Sequence, residues 1–88
     1  KAGSIKGVRV FPNPAVSNMS VEFSNVKGAY LISLYNMGGQ EVASQRTVVQ
    51  YNVQYVNVNR NNLPAGTYIM KIMNTENGES YSQKITLQ

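Results

Sequence analysis

The chain is predicted to be all-β, an antiparallel two-sheet sandwich of about seven short strands. Three observations carry this expectation. Apolar and polar residues alternate with a period of two in short runs such as Met19-Ser20-Val21-Glu22-Phe23 and Val56-Asn57-Val58. Turn residues punctuate those runs, and no segment sustains a helical period. A turn built on Pro64 and Gly66 delivers Tyr68 directly into an alternating strand. Many sandwiches place such a Tyr where the chain crosses between sheets, its hydroxyl bonding back to the backbone just upstream. That placement makes the expected sandwich immunoglobulin-like.

Each element follows from its residues. Lys1 to Gly7 is small, polar and basic, and is expected to be a flexible lead, with one domain over residues 8–88. Val8 and Val10 alternate with basic neighbours in a short strand. Pro12-Asn13-Pro14 stops it, because neither proline can donate to a ladder. Met19, Val21 and Phe23 give a half-buried strand, and Lys27-Gly28 a turn. Tyr30, Ile32 and Leu34 are expected inward on the next strand, with Leu31, Ser33 and Tyr35 on the other face. Met37-Gly38-Gly39 supplies a tight turn. Glu41–Ser44 is expected to pair back with Val42 inward, and Val48–Tyr51 to form a separate short strand. Val56 and Val58 alternate in a further strand, and Leu63 covers the core before the Pro-Ala-Gly corner. Tyr68, Met70 and Ile72 share one face. Asn77-Gly78 is a hairpin-turn signal. Tyr81, Gln83, Ile85 and Leu87 share the inner phase of the closing strand, while Lys84 and Thr86 face out. No internal repeat is evident in the residues.

Composition excludes several chemistries. The 88 residues hold no His, Cys, Asp or Trp. A thiol nucleophile, an imidazole base, a triad-type hydrolase and an ordinary zinc site are therefore ruled out. The clustered Asp of a calcium loop is missing as well. No catalytic residue, cofactor or metal site is expected, and the chain is expected not to be an enzyme. Glu76 and Glu79 flank the Asn-Gly turn and read as solvated turn charges. The net charge of +4 comes from basic residues spread along the chain without a run, so no nucleic-acid partner is expected. No apolar run approaches the ~18 residues of a membrane-crossing helix. No signal peptide is visible, so export would require a targeting segment on a longer precursor.

Three motifs together resemble one family. Pro12-Asn13-Pro14 follows the first strand, Leu34-Tyr35-Asn36 leads through Gly39 to Val42, and Leu63-Pro64-Ala65-Gly66-Thr67-Tyr68 feeds an alternating strand that runs to Ile72. Lys84, Ile85 and Leu87 form a basic, apolar closing strand. In this order and spacing they resemble the type A C-terminal sorting domain of proteins secreted by the type IX system of Bacteroidetes, over about Val8 to Gln88. Many members finish on Lys or Arg, where this chain has Leu87-Gln88. The resemblance implies a non-catalytic sandwich following an N-terminal cargo domain. It implies passage through the periplasm and recognition at the outer-membrane translocon. Cleavage upstream by a sortase-like signal peptidase, then release or cell-surface attachment of the cargo, follow in many members. The lead, Lys1, Ala2, Gly3, Ser4, Ile5, Lys6 and Gly7, is the expected cleavage region, since a peptidase needs extended, unpaired backbone.

A closing strand at a sheet edge would let a receptor pair with its free N–H and C=O groups and read alternate side chains. Ser82, Lys84, Ile85, Thr86 and Leu87 are the residues expected to be recognised at the translocon, with Ser82, Lys84 and Thr86 legible on the outward face; the alternative is that Ile85 and Leu87 merely complete the core. Pro12, Asn13, Pro14, Gly39, Leu63, Gly66 and Tyr68 are expected to be mainly architectural. The competing reading is a carbohydrate-binding or adhesive sandwich using Tyr35, Tyr51 or Tyr55 as a stacking platform. A glycan array separates the two. A fibronectin-like spacer is a third reading, and it would tolerate residues appended after Gln88.

Overall fold

A computed structural model describes residues 6–88, and these contain seven strands and no helix. Strands β1 (Val8–Phe11), β2 (Met19–Ser24) and β5 (Val53–Val58) form a sheet in the order β1-β2-β5. Strands β3 (Gly28–Asn36), β4 (Glu41–Val49), β6 (Gly66–Asn74) and β7 (Ser80–Leu87) form the other, in the order β4-β3-β6-β7. Every pairing between these strands is antiparallel. The immunoglobulin-like sandwich expected from the sequence is the observed fold.

The period-two pattern builds the core. Val8, Val10, Met19, Val21, Phe23 and Val58 are buried against Tyr30, Ile32, Leu34, Val49, Tyr68, Met70, Ile72, Ile85 and Leu87 of the facing sheet. Phe23 and Tyr30 meet across the gap with ring centroids 4.9 Å apart. Leu63 packs half-buried against the same cluster. Such interdigitation of two inner faces is what gives a small sandwich its cooperativity.

Two local expectations change. The separate strands at Glu41–Ser44 and Val48–Tyr51 are one continuous β4, because Gln45-Arg46-Thr47 contains no turn residue and pairs throughout with β3. A register shift opposite Leu34 and Tyr35 leaves Val42 as the extra residue, and it packs on the core. The Asn77-Gly78 signal does not make a two-residue hairpin. Gly78 N–H donates to the Asn74 carbonyl and Asn74 N–H to the Glu79 carbonyl, each at 2.8 Å, which closes a wider loop.

The structure also reveals a duplication that the residues concealed. Tyr68 donates its hydroxyl to the Pro64 carbonyl at 2.7 Å, as expected of a corner tyrosine. Tyr30 does the same to the Val26 carbonyl at 2.7 Å. Gly66 and Gly28 precede these tyrosines by two positions and hold φ of 153° and 144°, which side chains with a Cβ rarely adopt. Both strands then end in an Asn that organises the following turn. Asn36 Oδ1 accepts from Gly38 and Gln40, and Asn74 Oδ1 from Glu76 and Asn77. Register sets Asn36 opposite Tyr68 and Asn74 opposite Tyr30. The β3–β4 and β6–β7 hairpins are thus two versions of one unit, related by a pseudo-two-fold between the central strands.

Tyr30→Phe and Tyr68→Phe should each lower the unfolding free energy by about 1–2 kcal/mol, the worth of a hydrogen bond to a half-buried carbonyl. The two losses should add, because the corners sit at opposite ends of the β3–β6 ladder. Urea unfolding of the single and double variants checks both statements. An unchanged midpoint in either single variant would contradict the role assigned to that hydroxyl.

Candidate functional site

Strand β7 occupies an outer position in the four-stranded sheet, so one side of its backbone faces away from β6. Antiparallel ladders alternate the direction of N–H and C=O from residue to residue. Thr86 directs both groups outward, as its partners show, and by alternation Ser82 and Lys84 do the same. The closing strand thus lies at a sheet edge, the position the sequence reading required for a receptor to pair with it.

The far half of the row is occupied by the chain itself. Asn13 Nδ2 donates to the Lys84 carbonyl and Asn13 Oδ1 accepts from Thr86 N–H, both at 3.1 Å. Ala15 then continues as backbone. Its N–H donates to the Thr86 carbonyl and its carbonyl accepts from Gln88 N–H, both at 2.8 Å. A side-chain carboxamide presents an N–H donor and a carbonyl acceptor side by side, so Asn13 meets the Lys84 carbonyl and the Thr86 N–H together and acts as an added rung on the edge. Pro12 and Pro14 hold it there without N–H groups that would need partners. Both peptide bonds into these prolines are cis. Ala15 is fully buried beneath the clamp. Among the described residues no hydrogen bond reaches the outward N–H and C=O of Ser82 or the Lys84 N–H, which leaves that stretch open for pairing.

Arg60 closes the same corner from the opposite side. Its Nε donates to the Leu63 carbonyl at 3.0 Å, and one terminal nitrogen donates to the Val16 and Gln88 carbonyls, each at 2.5 Å. Its own N–H donates to Asn18 Oδ1 at 3.3 Å. One guanidinium therefore joins the segment after the Pro-Asn-Pro corner, the segment before the tyrosine corner and the end of β7. Guanidinium suits this role because its donors are fixed in a fork. In the sequence Arg60 counts only as one of the basic residues spread along the chain without a run.

The remaining predicted residues fall as follows. Ser82, Lys84 and Thr86 are exposed, while Ile85 and Leu87 are buried. Gly39 sits in the β3–β4 turn with φ 85°. Of the expected cleavage region, Lys1, Ala2, Gly3, Ser4 and Ile5 lie outside the described residues. Lys6 is exposed, and the Gly7 carbonyl already accepts Ser24 N–H at 2.8 Å. The tyrosines of the carbohydrate reading do not converge. Tyr35 lies on the four-stranded sheet, Tyr51 between β4 and β5, and Tyr55 on the other sheet. Tyr55 meets Phe11 edge-on, with planes at 86°, so this pair offers no flat stacking surface. Glu76 is exposed, and Glu79 accepts from Asn77 Nδ2 at 3.4 Å within its own turn. The arrangement offers ladder groups, hydroxyls and a cation on a firmly held edge, which is equipment for binding.

Residues 9–88 match the family described as "Secretion system C-terminal sorting domain". No curated protein matches the chain.

Hydrogen exchange tests the clamp. The Thr86 and Gln88 amides should be protected and those of Ser82 and Lys84 fast. Asn13→Ala should speed Thr86 exchange by about tenfold and cost about 1–2 kcal/mol of stability. Equal exchange at Thr86 and Lys84 in the unaltered chain would contradict the assignment.

Proposed function

The chain belongs to the family of secretion system C-terminal sorting domains of type IX secretion, and we propose that within it the chain serves as a non-catalytic address. In this reading it directs an N-terminal cargo from the periplasm through the outer-membrane translocon. The observation that carries the proposal is the divided edge of β7. Its end is pinned by Asn13, Ala15 and Arg60, while Ser82 and the Lys84 N–H stay open. A receptor that adds a strand gains most from an edge already held in its bound shape, because little ordering entropy remains to be lost. Ser82, Lys84 and Thr86 present the side chains to be read, and Ile85 and Leu87 anchor the strand beneath them.

Processing belongs to the same proposal. A sortase-like signal peptidase would cut upstream of Gly7, the residue whose carbonyl accepts Ser24 N–H. The freed cargo would then reach the cell surface or the medium. The Pro-Asn-Pro motif and the tyrosine corner would contribute by holding the address in shape, since their contacts are made inside the domain.

Fused after an inert exported reporter, the chain should carry it to the surface of a type IX-competent cell. Lys84→Glu, verified to be folded, should reduce that export by roughly tenfold through the charge at the rim of the edge. Surface counts and whole-cell protease accessibility measure it. Unchanged export in the folded variant would remove Lys84 from the address.

A further inference from the structure

The outward face of the four-stranded sheet collects charges that the sequence scatters. Register places Arg46 beside Leu31 and Met73, then Ser33 beside Lys71 and Ser82, then Tyr35 beside Ile69 and Lys84. The pairing register and the two-residue alternation of strand side chains put all of them on the outer side, where Ser33 is itself buried and Arg46, Ser82 and Lys84 are exposed. Leu31, Tyr35, Ile69 and Met73 are only half-buried, and Met37 is 62% exposed. Tyr35, Asn36, Met37, Gly39, Ile69 and Lys71 line a shallow, mainly apolar groove of about 470 Å³.

The strands of this face carry three exposed or half-buried cations against one carboxylate, Glu41, and none of the three is in an ion pair among the described residues. Among the described residues the one ion pair is Arg9 with Glu22, on the opposite sheet. Glu41 shares the outer side with Tyr35 but lies three strand spacings from Lys84, about 14 Å. Arg46, Lys71 and Lys84 therefore face solvent around an apolar strip without a carboxylate among them. A second copy docking face to face would set like charges together, which opposes self-association. A purely apolar partner would strip water from three cations and return nothing.

We infer that this face docks an extended acidic segment of a partner protein. The spacing favours it. Lys84 sits directly across from Ile69, and Lys71 is two residues further along, so Lys71 and Lys84 are diagonal neighbours about 7–8 Å apart. Side chains at alternate positions of an extended peptide are about 6.6 Å apart. Two carboxylates in a Glu-x-Glu pattern thus meet the two ammonium groups, and an apolar side chain two positions on, continuing the same diagonal past Lys71, reaches the half-buried Leu31 and Met73. The face adjoins the β7 edge proposed above and shares Lys84 with it, so the inference supplies chemistry for the same partner and rests on that reading.

Two peptides test it against the isotopically labelled 88-residue chain: Glu-Ser-Glu-Ser-Leu, and its counterpart with Lys for Glu. The acidic peptide should shift the amides of Leu31, Lys71, Met73 and Lys84, and Lys71→Glu should weaken binding by about tenfold or more. Lys71 contributes to neither corner nor clamp, so the variant keeps its fold. Shifts centred on the other sheet, equal binding of the basic peptide, or preferential binding of phosphatidylglycerol vesicles or an oligonucleotide would overturn the inference. A Lys71→Glu chain that loses the peptide yet exports the reporter normally would overturn the partner assignment and leave the sorting role standing. Peptide binding by an unaltered chain that exports nothing would support the docking face and overturn the sorting role.

Discussion

The clamp on the free edge of β7 is the constraint on which the rest of the molecule depends. An outer strand presents unpaired ladder groups, and an unprotected one invites indiscriminate pairing. Here the chain covers part of the row with its own residues, one carboxamide and one backbone residue, and holds the strand end with a guanidinium. What remains open is short and bounded. The same contacts tie the first strand of one sheet to the last strand of the other, so the sandwich is stitched along this side. On the opposite side Gln45 and Gln54 reach between β4 and β5, to the Asn57 and Val48 carbonyls, and do the equivalent work.

The central pair β3 and β6 supplies the rigid platform. Each enters through a tyrosine corner and leaves through an Asn-organised turn, so both ends of both strands are fixed by local hydrogen bonds. β7 is the neighbour of β6 and inherits that rigidity through the ladder from Gly66 to Met73. A recognition element thus lies one strand away from the best-restrained part of the fold. That arrangement suits a unit whose task is to be bound in a fixed shape.

Much of this was legible in the residues. Period-two alternation located the strands, and Pro64, Gly66 and Tyr68 announced their corner. Tyr30 was not recognised as a second corner, because Val26-Lys27-Gly28 lacks the proline that marks the first. The duplication was hidden for a related reason, since the two units share Gly, Tyr and Asn while their apolar positions are exchanged among Ile, Leu and Met. Asn13 pairs with residues 71 and 73 positions away, and no local pattern reports that. Arg60 serves carbonyls from three separate segments, so its role exists only once those segments have met. The cationic face is likewise a product of sheet order, which brings Arg46, Lys71 and Lys84 to one side.

The central claim is that the domain is recognised with its clamp closed. Val16 and Gln88 are exposed and flank the Ala15–Leu87 bridge in register, so cysteines at both positions can lock the end of β7 to the segment after the Pro-Asn-Pro corner. Export of a reporter fused to the Val16→Cys, Gln88→Cys chain, compared with and without the crosslink, is the most direct measurement. The account predicts equal export of the locked and reduced forms. Export by the reduced form alone would show that the strand must be released to be read, and would contradict it.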